Sequence, residues 1–320
     1  MFSLQTRMWL LLAALFAIIY ALITMIGTAM GVYNFNFYLI ISLGMMLIQY
    51  MIGPKMVEWT MRIRYLKDRS ENPELWDMVE DQARKAQVPM PRVCISPINV
   101  PNAFAFGRGL NDGRVCVTQG IMGLLTRDEL QAVIGHEMAH IRNRDVLTIT
   151  LLSVIPIIMY RIAWHFMFYG NRRSNNNQSS GMAIGLVALI FYFITNLLVM
   201  YASRIREYFA DKGSVEFGNR PEMLASALYK LVYGSARAGK EAVREVEGLK
   251  AFFVNDPSAA YNEIKELVQL DTDKSGTIDQ HELARLRNLK ITVGSGDKVM
   301  ELMSTHPNML KRIKHLSTLG

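Results

Sequence analysis

A chain of 320 residues with 51% hydrophobic and only 20% charged residues is too apolar for an ordinary soluble protein and points to the membrane. The net charge of +7 calls for no nucleic-acid partner, because the basic residues lie largely beside apolar stretches, where they orient the chain and meet anionic headgroups. Two cysteines, Cys94 and Cys116, without a C-x-x-C spacing exclude a disulfide framework and read as reduced, structural thiols.

Met8 to Met30 is apolar and uncharged, enough for a bilayer-spanning helix of about 20 residues. It lacks a small-x-small cleavage site, and a second apolar run from about Phe37 to Ile52 follows at once. The pair therefore reads as a transmembrane hairpin over residues 1–54 rather than a signal peptide. Lys55, Arg62, Arg64, Lys67 and Arg69 come next, and by the positive-inside rule they place this side, with the N-terminus, in the cytoplasm.

Asn72 to Gln87 predicts a soluble helix, with Pro73 in its first turn and Arg84 and Lys85 late. The segments around Cys94 and Cys116 read as short strands. Between them, Asn102, Ala103, Phe104 and Ala105 open a run of alternating small and aromatic residues. That run is either a third strand of a small sheet or an edge strand that pairs with an extended peptide substrate.

Asp128 to Arg144 reads as a helix, with Thr126 and Glu129 spaced for a capping box at its start. His136 and His140 are four residues apart on it, so both rings leave one face and can share a tetrahedral zinc ion at about 2.0–2.1 Å. Glu137 projects beside that metal and is placed to take a proton from the attacking water, the mechanism of the H-E-x-x-H signature. Residues 141–145 supply no third histidine, so the remaining ligand must come from elsewhere, such as a carboxylate on a later helix.

Val146 to Tyr169 is a third apolar stretch, interrupted by Pro156 and Arg161. Arg161 would cost about 2.5–3.5 kcal/mol facing lipid, so it is expected to face a polar cavity or partner group, unless the span is re-entrant. Met182 to Tyr201 is the fourth span and completes a second hairpin over residues 146–203. On the returning chain, Glu207 and Asp211 again share a helix face. Coupled to H-E-x-x-H, this E-x-x-x-D supplies the missing half of a gluzincin site: Glu207 as third zinc ligand, Asp211 hydrogen-bonding a ligating histidine from behind.

The chain resembles the HtpX-type membrane metallopeptidases, heat-shock proteases related to the CAAX prenyl proteases. The residues that carry the likeness are Asn102 to Ala105, His136-Glu137-x-x-His140, Arg204-x-Arg206-Glu207-x-x-Ala210-Asp211, Ser304-Thr305-His306-Pro307 and Arg312-Ile313. The resemblance implies Glu137 as general base, zinc on His136, His140 and Glu207, an active site facing the cytoplasm, and misfolded membrane proteins as substrates. It also brings His306 near the metal, either to stabilise an oxyanion, to plug the zinc transiently, or as a structural loop histidine.

One segment departs from that pattern. Asp271 to Glu282 fits an EF-hand loop, with Asp271, Asp273, Ser275, the Thr277 carbonyl, Asp279 and Glu282 as calcium ligands, Gly276 at the sharp turn and Ile278 as apolar anchor. Helical apolar spacing flanks it, giving a helix-loop-helix at about 261–290. No second loop accompanies it, so the hand is expected to pack on the protease or on another subunit, which leaves a homo-oligomer open.

The resulting expectation is an α+β, mainly helical, multi-pass protein of four spans in the cell inner (plasma) membrane. Residues 55–145 and 204–320 form its gluzincin-like, cytoplasmic catalytic part. Its function is expected to be zinc-dependent endopeptidase action on misfolded or membrane proteins in quality control, modulated by calcium. The alternatives are a prenyl-protein protease and a catalytically inactive calcium-sensing membrane scaffold. Expected partners are polypeptide substrates and the lipid bilayer.

Overall fold

A computed structural model describes residues 50–145, 178–237, 269–289 and 304–320, with isolated positions at 47, 156, 159, 160, 162, 163, 166, 167, 264, 267, 301 and 302. The chain divides into two units, one of Met1–Ile52 with Leu147–Ile205, the other of Gly53–Val146 with Arg206–Gly320.

The second unit holds a four-stranded sheet. Its strands are β1 (Arg64–Tyr65), β2 (Arg92–Ser96), β3 (Ala103–Phe106) and β4 (Arg114–Thr118), in the order β1-β2-β4-β3. β2 and β4 run parallel, and the outer pairs are antiparallel. Alternation decides the two faces: Val93, Ile95, Val115 and Val117 enter the main core, while Cys94, Cys116, Phe104 and Phe106 pack on the other side with Val57 and Met61. The two cysteines stand opposite each other on β2 and β4 as buried thiols.

Helix α1 (Pro73–Ala86) starts with Asn72 accepting from the Leu75 N–H and ends on Gln87 in the left-handed conformation. α2 (Gln119–Leu124) leads into α3 (Arg127–Arg142), which opens with the expected capping box of Thr126 and Glu129. The Glu129 carboxylate also accepts from Ser226 Oγ at 2.6 Å and Lys230 Nζ at 2.8 Å, both on α5 (Pro221–Arg237). One acidic side chain thus caps α3 and fastens it to α5.

α4 (Gln178–Glu216) crosses α3 at its C-terminal end. Small residues permit the approach: a Cβ on Gly213 would meet Ala139 Cβ at 2.5 Å, and Ser214 Oγ donates to the Ala132 carbonyl at 2.6 Å. At Gly135 the neighbours are polar: Asn219 donates to Gln82 and Ser214 in a buried network, all three within 2.9 Å of where a Cβ would stand. Without these glycines the histidine helix and the Glu207 helix could not come this close.

α6 (Gln280–Asn288) follows the acidic loop, and α7 (Met309–Leu316) closes the unit. Ile278, Leu283 and Leu286 join the same core as Tyr229, Met309 and Ile313, so the loop segment packs on its own chain. The helix expected before the loop falls outside the described residues apart from positions 264, 267, 269 and 270.

The stretch Met182–Glu216 has a mean hydropathy of 2.3 over its most apolar window, of which 22% is buried. Met182, Leu186, Ile190, Phe193 and Leu197 are exposed along it. It is the one helix among the described residues long and apolar enough to cross a membrane. The spans expected at 8–30, 37–52 and 146–169 lie outside the described residues but for isolated positions and the end of the second.

Gly135→Ala should therefore destabilise the catalytic unit by about 1–3 kcal/mol, the usual cost of overpacking a tight site. Thermal melting of the zinc-free protein checks this, and a melt equal to the parent would mean that the crossing is looser than drawn.

Candidate metal centre

α3 carries His136 and His140 on one side, one turn apart. Their Nε2 atoms face each other at 3.1 Å. Glu207 on α4 closes the third corner, with Oε2 3.5 Å from His136 Nε2 and Oε1 3.6 Å from His140 Nε2. A tetrahedral zinc site with bonds of about 2.0–2.1 Å sets neighbouring ligand atoms about 3.3 Å apart. The three separations bracket that value.

Behind each imidazole stands a carboxylate. Asp211 Oδ1 lies 2.9 Å from His136 Nδ1, and Asp145 Oδ2 lies 2.5 Å from His140 Nδ1. Each ring then carries its proton on Nδ1 and turns the Nε2 lone pair inward. Two lone pairs and a carboxylate converging in a buried space repel one another unless a cation lies between them. Burial depresses the His136 ring, yet Asp211 and Glu207 outweigh burial and lift it to about 9, so this place favours a positive charge, whether a proton or a metal ion. The residues fit a zinc ion.

The carboxylates are held in turn by arginines. Arg312 on α7 is fully buried, with Nε and Nη2 donating to Asp211 at 3.0 and 2.6 Å and Nη1 3.0 Å from Glu207 Oε2. Arg206 Nε is 2.9 Å from Asp145 Oδ1, and these partners hold the Asp145 carboxyl below its ordinary range although burial pushes it up.

Glu137 is buried beside the histidines, and its Oε2 accepts the Ala105 N–H at 2.7 Å. Burial pushes its carboxyl up, with His140 and His136 opposing in part. An elevated carboxyl suits a group that must take and return a proton near neutral pH. Asn102 exchanges hydrogen bonds of 2.9 Å with Thr118 on β4. By antiparallel alternation, Ala103 and Ala105 then present their backbone groups to the free edge of β3, toward α3, while Phe104 faces β4. The alternating run is thus the third strand of the sheet and also lies at its edge.

His306 sits 3.6 Å from Glu207 Oε1 by its Nδ1, and neither of its buried ring nitrogens makes a hydrogen bond among the described residues. In the acidic loop, Asp271, Asp273 and Glu282 can set carboxylate oxygens within 4.8 Å of one another. Asp271 accepts from the Ser275 and Gly276 N–H groups, and Tyr229 donates to it at 3.1 Å. Gly276 has φ 80, as the sharp turn requires. Asp279 caps α6, accepting from the Glu282 N–H at 2.8 Å, and Ser275 Oγ lies 2.9 Å from Thr277 Oγ1.

The sequence reading assigned no role to Asp145, Arg206 or Arg312. Arg206 and Arg312 stood within matched motifs but had no visible partner. Asp145 follows His140 by five residues, a spacing that fits no helix face and reaches the ring only because Arg144 takes φ 55.

The description of peptidase family M48 matches residues 69–319. Among curated proteins, the chain is similar to a "Protease HtpX homolog" of Methanothermobacter thermautotrophicus, 46% identical over 72% of this chain and 86% of the relative. It is also similar to a "Protease HtpX homolog" of Moorella thermoacetica, 33% identical over 99% of this chain and 94% of the relative. Of solved structures, Ste24p of S. mikatae is similar at 14% identity and a TM-score of 0.49, covering 94% of this chain and 61% of that one.

Removing Arg312 strands two buried carboxylates. Arg312→Gln should cost about 3–5 kcal/mol, as when one partner of a buried pair is lost. Arg312→Lys, which keeps the charge but not the fork, should fall between the two in melting experiments. A Gln variant as stable as the parent would refute the bracing role.

Proposed function

The chain belongs to peptidase family M48 and is a metallopeptidase; on that footing we propose that it is a zinc-dependent endopeptidase of the membrane, cleaving misfolded or membrane proteins in quality control and modulated by calcium. Enzymes of this family use zinc and act on polypeptides. The observation that carries the reading is the convergence of two inward Nε2 lone pairs with the Glu207 carboxylate.

In the proposed mechanism His136, His140 and Glu207 hold the ion, and Asp211 orients His136. Zinc bound there supplies a Lewis acid. Glu137 takes the proton of the attacking water on its carboxylate and returns it to the leaving amine. An extended substrate adds to the edge at Asn102 to Ala105 and pairs its main chain with Ala103 and the Ala105 carbonyl, the Ala105 N–H being held by Glu137. The Ala105 contact to Glu137 supports this, since a peptide on that edge runs past the base. His306, buried and with no hydrogen bond from its ring nitrogens among the described residues, is the donor proposed for the developing oxyanion.

The apolar Met182–Glu216 helix supports membrane embedding. The basic run from Lys55 to Arg69 supports a cytoplasmic catalytic unit in a multi-pass protein of the inner (plasma) membrane. Calcium is assigned to the loop from Asp271 to Glu282, where three carboxylates already converge. α6 leaves this loop and shares a core with α7, whose Arg312 braces Glu207 and Asp211. Ordering the loop would therefore reach the zinc ligands.

Casein cleavage by the detergent-purified protein tests the activity. Glu137→Gln should keep its zinc and lose at least about 100-fold in turnover, the contribution of a general base. Near-normal turnover by the zinc-loaded variant would remove Glu137 from the mechanism.

Calcium should bind with a Kd of about 10⁻⁵–10⁻³ M, the weak part of the EF-hand range, and should change turnover. Glu282→Gln should respond to calcium no longer. Calorimetry showing no binding below about a millimolar, or a variant that responds like the parent, ends the calcium reading.

A further inference from the structure

Asp145 and Arg206 lie outside the mechanism derived so far. α3 ends at Arg142, and Asn143 caps it in helical conformation. Arg144 then takes φ 55, a left-handed conformation that is unfavourable for a non-glycine residue. Strain of this kind persists where the surroundings demand it. Here it turns the chain back, so that Asp145 faces the His140 ring from 2.5 Å instead of following the helix into solvent. The other Asp145 oxygen is 2.9 Å from Arg206 Nε, and both residues are buried. Arg206 immediately precedes Glu207 on α4.

His140 needs an external brace more than His136 does. Its side chain is 15% exposed against 1% for His136. It also lies in the last turn of α3, where the backbone carbonyls lack partners within the helix and fraying begins.

We infer that Asp145 and Arg206 form a positioning pair for the metal centre. Asp145 fixes the tautomer and tilt of His140, and Arg206 fixes Asp145. Because Arg206 and Glu207 are neighbours on one helix, the pair also ties the second zinc ligand to the third. The inference rests on the zinc reading of His136, His140 and Glu207. It differs from the Asp211 arrangement, where the arginine reaches across from α7. Here the arginine comes from the ligand's own helix, so a shift of that end of α4 is felt by Glu207 directly and by His140 through Asp145.

The test uses the zinc-loaded full chain in detergent, with zinc release to a colorimetric chelator as readout. Asp145→Asn should speed release by about 10- to 100-fold, the usual effect of removing a carboxylate behind a ligating histidine. Arg206→Gln should act in the same direction and less. The double variant should be no worse than Asp145→Asn alone, because Arg206 works only through Asp145. The visible spectrum of the cobalt-substituted protein should shift in Asp145→Asn, which a purely structural ion pair would not cause. Parental release and a parental cobalt spectrum in both variants overturn the inference, even if melting temperatures fall, and so does an additive double variant. If Asp145→Asn does not fold, Arg206→Gln carries the same two readouts. A parent that holds no stoichiometric zinc, or that keeps it after His136→Ala, overturns the zinc reading beneath the inference instead.

Discussion

Arg312 is fully buried, with the Asp211 and Glu207 carboxylates within 3.0 Å of its guanidinium. Burying such charges costs several kcal/mol per ion unless their geometry is good. The cost makes the arrangement selective: α7 can dock only where its fork meets both acids, and both acids must sit where the α3 histidines need them. Around the histidines stand Glu137, Asp145, Glu207 and Asp211 with Arg206 and Arg312. The acids outnumber the guanidiniums, and a cation among the histidines would offset that excess. The helix crossing at Gly135 and Gly213 supplies the closeness, and the ion pairs supply the register.

Local signals in the sequence reached far for elements whose causes are local. The capping box at Thr126 and Glu129, Pro73 in the first turn of α1, and the alternation in β2 and β4 depend on residues within a few positions of each other. His136 with His140, and Glu207 with Asp211, were legible as pairs because helical spacing puts each on one face. That the two pairs meet is a fact of tertiary packing, and only the coupling of two motifs pointed to it. Asp145 was out of reach, since its approach depends on a left-handed arginine that no composition rule singles out. Glu129 was read as a cap, but its bonds to Ser226 and Lys230 span about a hundred residues and leave no local trace.

The acidic loop shows both sides of that limit. Its turn at Gly276 and the convergence of Asp271, Asp273 and Glu282 follow from the loop pattern. Asp279 also caps α6, a demand of the helix that the ligand pattern alone does not register. Tyr229 donates to Asp271 from α5, so the loop is anchored to the catalytic core by a residue far outside it. With Ile278 and Leu283 inside the core, the segment needs no second subunit to cover its apolar side.

β3 at the sheet edge has a consequence for what such an enzyme would digest. On the proposed reading, Ala103 and the Ala105 carbonyl offer a substrate hydrogen bonds to its backbone and read no side chain. A polypeptide in a helix or an inner strand has already spent its backbone donors and acceptors and cannot bond to that edge. A locally unfolded one can. Selection would then follow the free energy of local opening in the victim rather than its residue pattern. Each additional kcal/mol of local stability would shield a protein about fivefold, and damage would be recognised as nothing more than loosened chain.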